Sequence, residues 1–267
     1  MHIPMRIPSH RLAALLPGVL CLATFSASHL QARVPQEPVQ ITVSAAASLN
    51  DALIEIDREF QRARPDVRVD LNSGASGTLE IQIEKGAPVD VFVSAGLQQM
   101  DALAAKGLLL AETRVDLLRN ELVLIISRGS KNVANFSDLD HPDVRIVAIG
   151  DPRTVPAGMY AQQVLTALGI YATVRKKAVL ATDVRQVLAD VETGSADAGL
   201  VYATDAATSS QVRVVAAAPA GTHEAIVYPA AALRDAPHPD AARAYVQFLR
   251  SASARMIFSR YGFLPAT

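Results

Sequence analysis

Tryptophan is missing from this chain, and cysteine occurs only once, at Cys21. Sugar sites are commonly built by packing aromatic rings on sugar faces, and aromatics at 5% of residues leave that mode little material. The single cysteine lies in an N-terminal apolar segment, so removal of that segment leaves no disulfide, zinc–thiolate site or cysteine nucleophile. Of six histidines, His2, His10 and His29 fall in or beside the same segment. His141, His223 and His238 have no Glu, Cys or His at ligand spacing, which argues against a histidine metal site. Phosphate-cradling glycine loops of the G-x-x-x-x-G-K-[ST] and G-x-G-x-x-G kinds are absent. "GASGT", Gly74 to Thr78, stops short of a nucleophile elbow because Thr78 stands where G-x-S-x-G needs glycine. The formal net charge is −1, with no basic excess to attract nucleic acid.

After the first residues no apolar run approaches the roughly 20 residues of a spanning helix. The beginning itself reads as an export signal: Arg6 and Arg11 without acidic residues, an apolar run from Leu12 to Phe25, then small residues at Ser26-Ala27-Ser28 and Ala32. Leu20 before Cys21 disfavours lipid attachment, where a small residue is wanted. Residues 1–32 are therefore expected to be signal and lead, followed by a short flexible stretch, "RVPQEPV". Without Arg6 and Arg11 the net charge becomes about −3. A soluble protein outside the cytoplasmic membrane, periplasmic in location, is expected.

What the sequence does contain is alternation. Strand-like Ile41–Ala46, helix-like Ser48–Arg62, strand-like Val67–Leu71, helix-like Ser76–Glu84 and strand-like Val89–Val93 follow one another, then Leu97, Met100, Leu103 and Ala104 at helical spacing. A second series runs through Leu122–Ser127, Arg145–Ile149, a helix over Ala157–Leu168, helical Val184, Val187, Leu188 and Val191, and the strand Ala198–Tyr202. This order predicts an α/β fold of two units, each with a largely parallel sheet. The closing strand near Ala225–Ala232 and the helices from Pro239 to Tyr261 are not assigned to either unit by periodicity.

Small or hydroxylic residues recur where helices should begin. Ser48 precedes a helix with Asp51 three residues on, an expected capping box. Ser76 opens the next, Pro156 suits a first turn before Ala157, and Thr182-Asp183 opens the Val184 helix. Taken singly, Ser48 reads as a cap, Ser76 as a tight turn, Val184 as core and Tyr202 as a half-buried aromatic. Taken together, several helix starts with unpaired N–H groups describe an anion receptor.

In order, these stretches resemble the periplasmic molybdate-binding proteins that feed ATP-driven importers. The resemblance is carried by "ITVSAAASLNDA" (Ile41–Ala52), "GTLEIQIEKGAPVDVFVSA" (Gly77–Ala95), "GDPRTVPAGMYA" (Gly150–Ala161), "DVRQVLADVETGSADAGLVYATDA" (Asp183–Ala206) and "RYGF" (Arg260–Phe263). It implies a two-lobed, type II-like periplasmic binding fold with the ligand cleft between lobes. Residues 33–120 with 223–267 would form one lobe and 121–222 the other, with crossovers near Arg119–Leu122 and Val215–His223. It also implies oxyanion ligation by Ser48, Ser76, Ala157, Val184 and Tyr202, the apolar pair through backbone N–H only. The implied ligand is molybdate or tungstate, held as an intact oxyanion without direct metal-ion ligands. No cofactor and no enzymatic activity are implied, and the partners are an inner-membrane permease and no nucleic acid, the protein itself being a monomer. Two features depart from relatives: "NSGA" before Ser76, and Ser44 in place of an aromatic. Arg185, beside Val184, is read as a surface or inter-lobe ion-pair residue rather than the anion's counter-charge. Rival readings are a binding protein for another tetrahedral oxyanion such as sulfate, and an exported serine hydrolase using Ser76. Iron binding is disfavoured because Tyr202 has no neighbouring tyrosine in the sequence.

Overall fold

A computed structural model describes residues 37–266; the expected signal lies outside the described residues. The chain opens with β1 (Val39–Ala46), a short 3-10 turn (Ala47–Leu49), α1 (Asn50–Ala63), β2 (Val67–Gly74), α2 (Ser76–Glu84), β3 (Val91–Val93), α3 (Leu97–Ala105) and β4 (Val115–Arg119). It continues with β5 (Leu122–Ser127), β6 (Val147–Gly150), α4 (Pro156–Ala167), α5 (Tyr171–Arg175), β7 (Ala178–Ala181), α6 (Val184–Glu192), β8 (Ala198–Tyr202), α7 (Ala203–Ala207) and β9 (Val212–Ala217). The last elements are β10 (Val227–Ala232), α8 (Pro239–Leu249), α9 (Ala252–Arg260) and β11 (Leu264–Pro265).

Two sheets result, of order β11-β4-β10-β3-β1-β2 and β7-β6-β8-β5-β9. The chain leaves the first sheet after Arg119, enters the second at Leu122, and returns with β10. Both sheets are mixed rather than largely parallel. The β-helix-β repeats give parallel pairs, β1 with β2 and β3 in one sheet and β6 with β7 and β8 in the other. The strands that carry the chain between sheets, β4, β5, β9 and β10, pair antiparallel because they enter and leave from the opposite end. Periodicity within one strand carries no information about that direction.

Burial follows position in the sheet. β8, between β6 and β5, is buried along its length, as is β10 between β4 and β3. Strands covered by helices on both faces read as continuous apolar runs, which is why "AGLVY" is legible and the exposed edge strand β7 is not. At Gly158 an added Cβ would lie 2.0 Å from the Gly150 carbonyl oxygen. Glycine therefore lets the first turn of α4 sit directly against the end of β6, which aims that turn at the space between the sheets.

Candidate functional site

The carboxyl ends of β1, β2 and β3 face those of β6, β7 and β8, and a partly open space of about 210 Å³ lies between them. Open α/β sheets place ligand sites outside the carboxyl ends of their strands. Ser48, Ser76, Ala157, Val184 and Tyr202 all line this space, together with Ala47, Ala95, Pro156 and Asp183 among others. Ser44 does not line it: its hydroxyl accepts from Asn72 Nδ2 at 3.1 Å, a pair in register between β1 and β2. Gly74 and Ala75, the end of the "NSGA" stretch, form part of the wall.

Ser48 does not cap α1. The helix begins at Asn50 with Leu49 as its N-cap and no side-chain capping bond, because the 3-10 turn shifts the helix start two residues past Ser48. Its Oγ lies 3.0 Å from the hydroxyl of Tyr228 on β10 instead. Asp51, expected to complete a capping box, accepts from Arg185 Nη2 at 2.9 Å. Ser76 is the first residue of α2, and its Oγ accepts the Ala95 N–H at 3.0 Å, tying the start of α2 to the end of β3.

From the other sheet, Pro156 takes the first position of α4, where its missing N–H costs nothing, and Ala157 follows. Asp183 caps α6, its Oδ1 accepting from Arg185 and Gln186 N–H at 2.8 and 3.0 Å. That leaves the Val184 N–H, like that of Ala157, without a hydrogen-bond partner among the described residues. Tyr202 ends β8 with its hydroxyl 3.4 Å from the Ala95 carbonyl oxygen across the space. Burial holds the Tyr202 hydroxyl well above the usual tyrosine range, so it stays protonated and able to donate.

The lining contains no Lys, Arg or His, and its one carboxylate, Asp183, is turned onto its own helix. Ser76 thus lacks a base within its lining, and the hydrolase reading finds no support. A wider groove of about 1650 Å³ carries Arg64, Arg250 and Arg255 beside Phe60 and Phe248, but it is open and includes none of the five residues. Among the described residues no cluster of His, Cys, Asp or Glu could hold a metal ion. The arrangement can do one thing well: surround an acceptor-only guest with neutral O–H and N–H donors.

The sequence reading missed three polar groups behind the lining. Tyr228, fully buried, packs its ring against Tyr202 at 5.8 Å and carries the hydroxyl that meets Ser48. Asn120, between β4 and β5, donates through Nδ2 to Tyr228 Oη at 3.1 Å and to Thr204 Oγ1 at 2.8 Å. No local pattern announces these partners, since Ser48 and Tyr228 are 180 residues apart. Arg185 lies outside the lining and pairs with Asp51 on α1 and with Asp205 on α7, an ion-pair residue rather than part of the lining. Its Nε is 2.8 Å from Asp205 Oδ1 but is not aligned as a hydrogen bond. Burial pushes the Asp205 carboxyl up to about 7, with Arg185 pulling the other way.

The family of bacterial extracellular solute-binding proteins matches this chain over residues 41–264. The molybdate-binding protein ModA of Haemophilus influenzae is 37% identical, covering 84% of this chain and 89% of its own length. The periplasmic molybdate-binding protein of Azotobacter vinelandii superposes with a TM-score of 0.76 at 26% identity, covering 85% of this chain and all of that one. The sulfate-binding protein SubI of Mycobacterium tuberculosis shares the fold with a TM-score of 0.72 at 17% identity, over 85% of this chain and 87% of that one.

Proposed function

Because the chain belongs to the bacterial extracellular solute-binding proteins, which are transport proteins and not enzymes, we propose that it captures molybdate, and tungstate with it, and delivers the oxyanion to an ABC-type permease in the inner membrane. It does so as an exported, periplasmic monomer. Of the expected lobes, 33–120 with 223–267 and 121–222, the described residues 37–120 and 223–266 form one and 121–222 the other, a division supported by the exchange of the chain between the two sheets.

The observation that carries the reading is the convergence of donors from both sheets on one space whose lining holds no cationic side chain. Ser48 and Ser76 come from the first sheet's strand ends, while Ala157, Val184 and Tyr202 come from the second's. A tetrahedral dianion offers acceptors and no proton. Hydroxyl and amide donors match it without leaving a buried cation unpaired when the cleft is empty. Hydrogen bonds to a charged group contribute about 1.5–3 kcal/mol each, and helix N-termini about 0.3–1 more. Several such donors offset dehydration and cleft closure and still reach about −8 kcal/mol, micromolar binding.

Binding draws the lobes together through the crossovers near residues 120 and 220, and the closed form is what the permease meets. Titration calorimetry of the mature chain with molybdate, tungstate, sulfate and phosphate tests this. Micromolar or tighter binding of the first two, with sulfate and phosphate at least about a hundredfold weaker, is expected; equal or tighter binding of sulfate assigns the site to the smaller oxyanion.

A further inference from the structure

A serine hydroxyl can give or take a proton, and rotates freely between the two, so its neighbours decide which it does. Around Ser48 a chain of hydrogen bonds through Tyr228 to Asn120 bears on that choice. The Glu121 N–H donates to Asn120 Oδ1 at 2.9 Å, so the amide must turn its NH₂ face the other way; the flipped amide would set donor against donor. The two protons of that NH₂ are then committed, one to Thr204 Oγ1 and one to Tyr228 Oη. With its oxygen accepting from Asn120, the Tyr228 hydroxyl has its proton free to give to Ser48 Oγ, 3.0 Å away. A Ser48 hydroxyl that accepts from Tyr228 keeps its own proton for the cavity.

We propose that Asn120 and Tyr228 are positioning residues, a relay that fixes Ser48 as a donor toward the bound oxyanion and so favours fully deprotonated guests over protonated ones such as hydrogen phosphate. The relay rests on the oxyanion-site reading above. Its geometry is built in: Tyr228 sits where β10 loses register with β4 beside Pro229, and its hydroxyl reaches Ser48 just past the end of β1. Asn120 lies in the crossover between sheets, with its N–H on the Ile226 carbonyl of the returning strand at 3.2 Å. The polarity of Ser48 is therefore held from the hinge, not from the cleft.

Asn120→Asp is the sharpest probe because it keeps shape and reverses polarity. The carboxylate still accepts from the Glu121 N–H, but now also accepts from Tyr228, whose proton turns away and leaves Ser48 donating to Tyr228 and presenting a lone pair to the guest. The experiment is a coupling cycle read by calorimetry with sodium molybdate on the mature chain: wild type, Asn120→Asp, Ser48→Ala and the double variant, with far-ultraviolet circular dichroism as the folding control. Asn120→Asp is expected to weaken molybdate binding at least about tenfold where Ser48 is present and less than about threefold where it is alanine. The same cycle with Tyr228→Phe replaces it if the aspartate variant does not fold, and Tyr228→Phe is further expected to narrow the preference for molybdate over hydrogen phosphate at pH 7. Equal losses with and without Ser48 would overturn the relay while leaving the site intact. An unchanged affinity in Ser48→Ala alone would overturn the site reading, and the relay with it.

Discussion

Gly77 and Thr154 meet backbone to backbone across the cleft: the Gly77 N–H donates to the Thr154 carbonyl at 2.9 Å, and a Cβ on Gly77 would lie 2.7 Å from that oxygen. Gly77 stands in the first turn of α2 and Thr154 just before α4, so the contact joins the two halves of the proposed site. Gly77→Ala suits the helix itself and clashes only where the two sheets meet as they do here, so an oxyanion-free protein with its lobes apart should be as stable or up to about 1 kcal/mol more stable. It should nevertheless weaken molybdate binding at least about tenfold, because the lobes cannot approach fully without moving a backbone carbonyl. Thermal unfolding without ligand and calorimetry with molybdate give the two readings; equal affinity would show that this contact is not part of the closed state.

Val184 offers a way to delete a backbone donor without touching a side-chain one. Asp183 before it is extended, with φ −157° and ψ 177°, clear of the α region that a following proline disfavours, and Val184 is the first residue of α6, where proline is well tolerated. Val184→Pro is expected to keep its melting temperature within a few degrees of Val184→Ala, yet bind molybdate at least about tenfold more weakly than that control. Matching affinities in the two variants would remove the Val184 N–H from the ligand set.

How much of this was legible follows from which residues depend on local pattern. Helix α2, Ser76–Glu84, and strand β8, Ala198–Tyr202, coincide with their sequence-based spans because one has helical spacing opening at serine and the other an unbroken apolar run. Asp183 caps α6 as expected, since an N-cap needs only amides two and three residues on. Ser48 looked like the same case and is not, because a partner on β10 competes for its hydroxyl. Strands β4, β7 and β9 went unread, being short and partly exposed on one side or at an edge. Tyr228 and Asn120 gave no signal at all, as their roles exist only after the chain has crossed between sheets and returned.

Asp57 predicts a pH dependence unconnected with the ligand. Burial on α1 lifts its carboxyl to about 6, opposed by the hydrogen bond it accepts from the Tyr245 hydroxyl. A carboxyl raised on folding binds its proton more tightly in the native state than in the unfolded one. Its contribution to stability is therefore complete below about pH 4 and is lost as pH rises through about 6. Asp57→Asn, whose amide oxygen can still accept from Tyr245, should flatten that part of the stability profile and gain roughly 1–3 kcal/mol at pH 7. Urea unfolding of both proteins at pH 4.5 and pH 7.5 checks it, and a variant that is less stable at both pH values would contradict this account.

Arg185 joins an exposed partner and a buried one, and the two should behave differently when cut. Asp51 is 40% exposed, so Asp51→Asn should change stability by less than about 1 kcal/mol. Because that pair spans the lobes, its loss should instead hasten release of molybdate, by up to about fivefold at low salt and less at high salt. Asp205 is fully buried, and Arg185→Gln leaves its carboxylate facing only a neutral side chain. Removing one member of a buried pair costs about 3–5 kcal/mol while the other stays charged. Asp205, already lifted to about 7, would rise further in the variant, and protonation then relieves the cost at lower pH. Arg185→Gln should accordingly be much less stable than the parent at pH 8.5 and approach it at pH 5.5. A loss of the same size at both pH values would mean that Asp205 does not take up the proton, and that the buried carboxylate finds its compensation in the surrounding backbone instead.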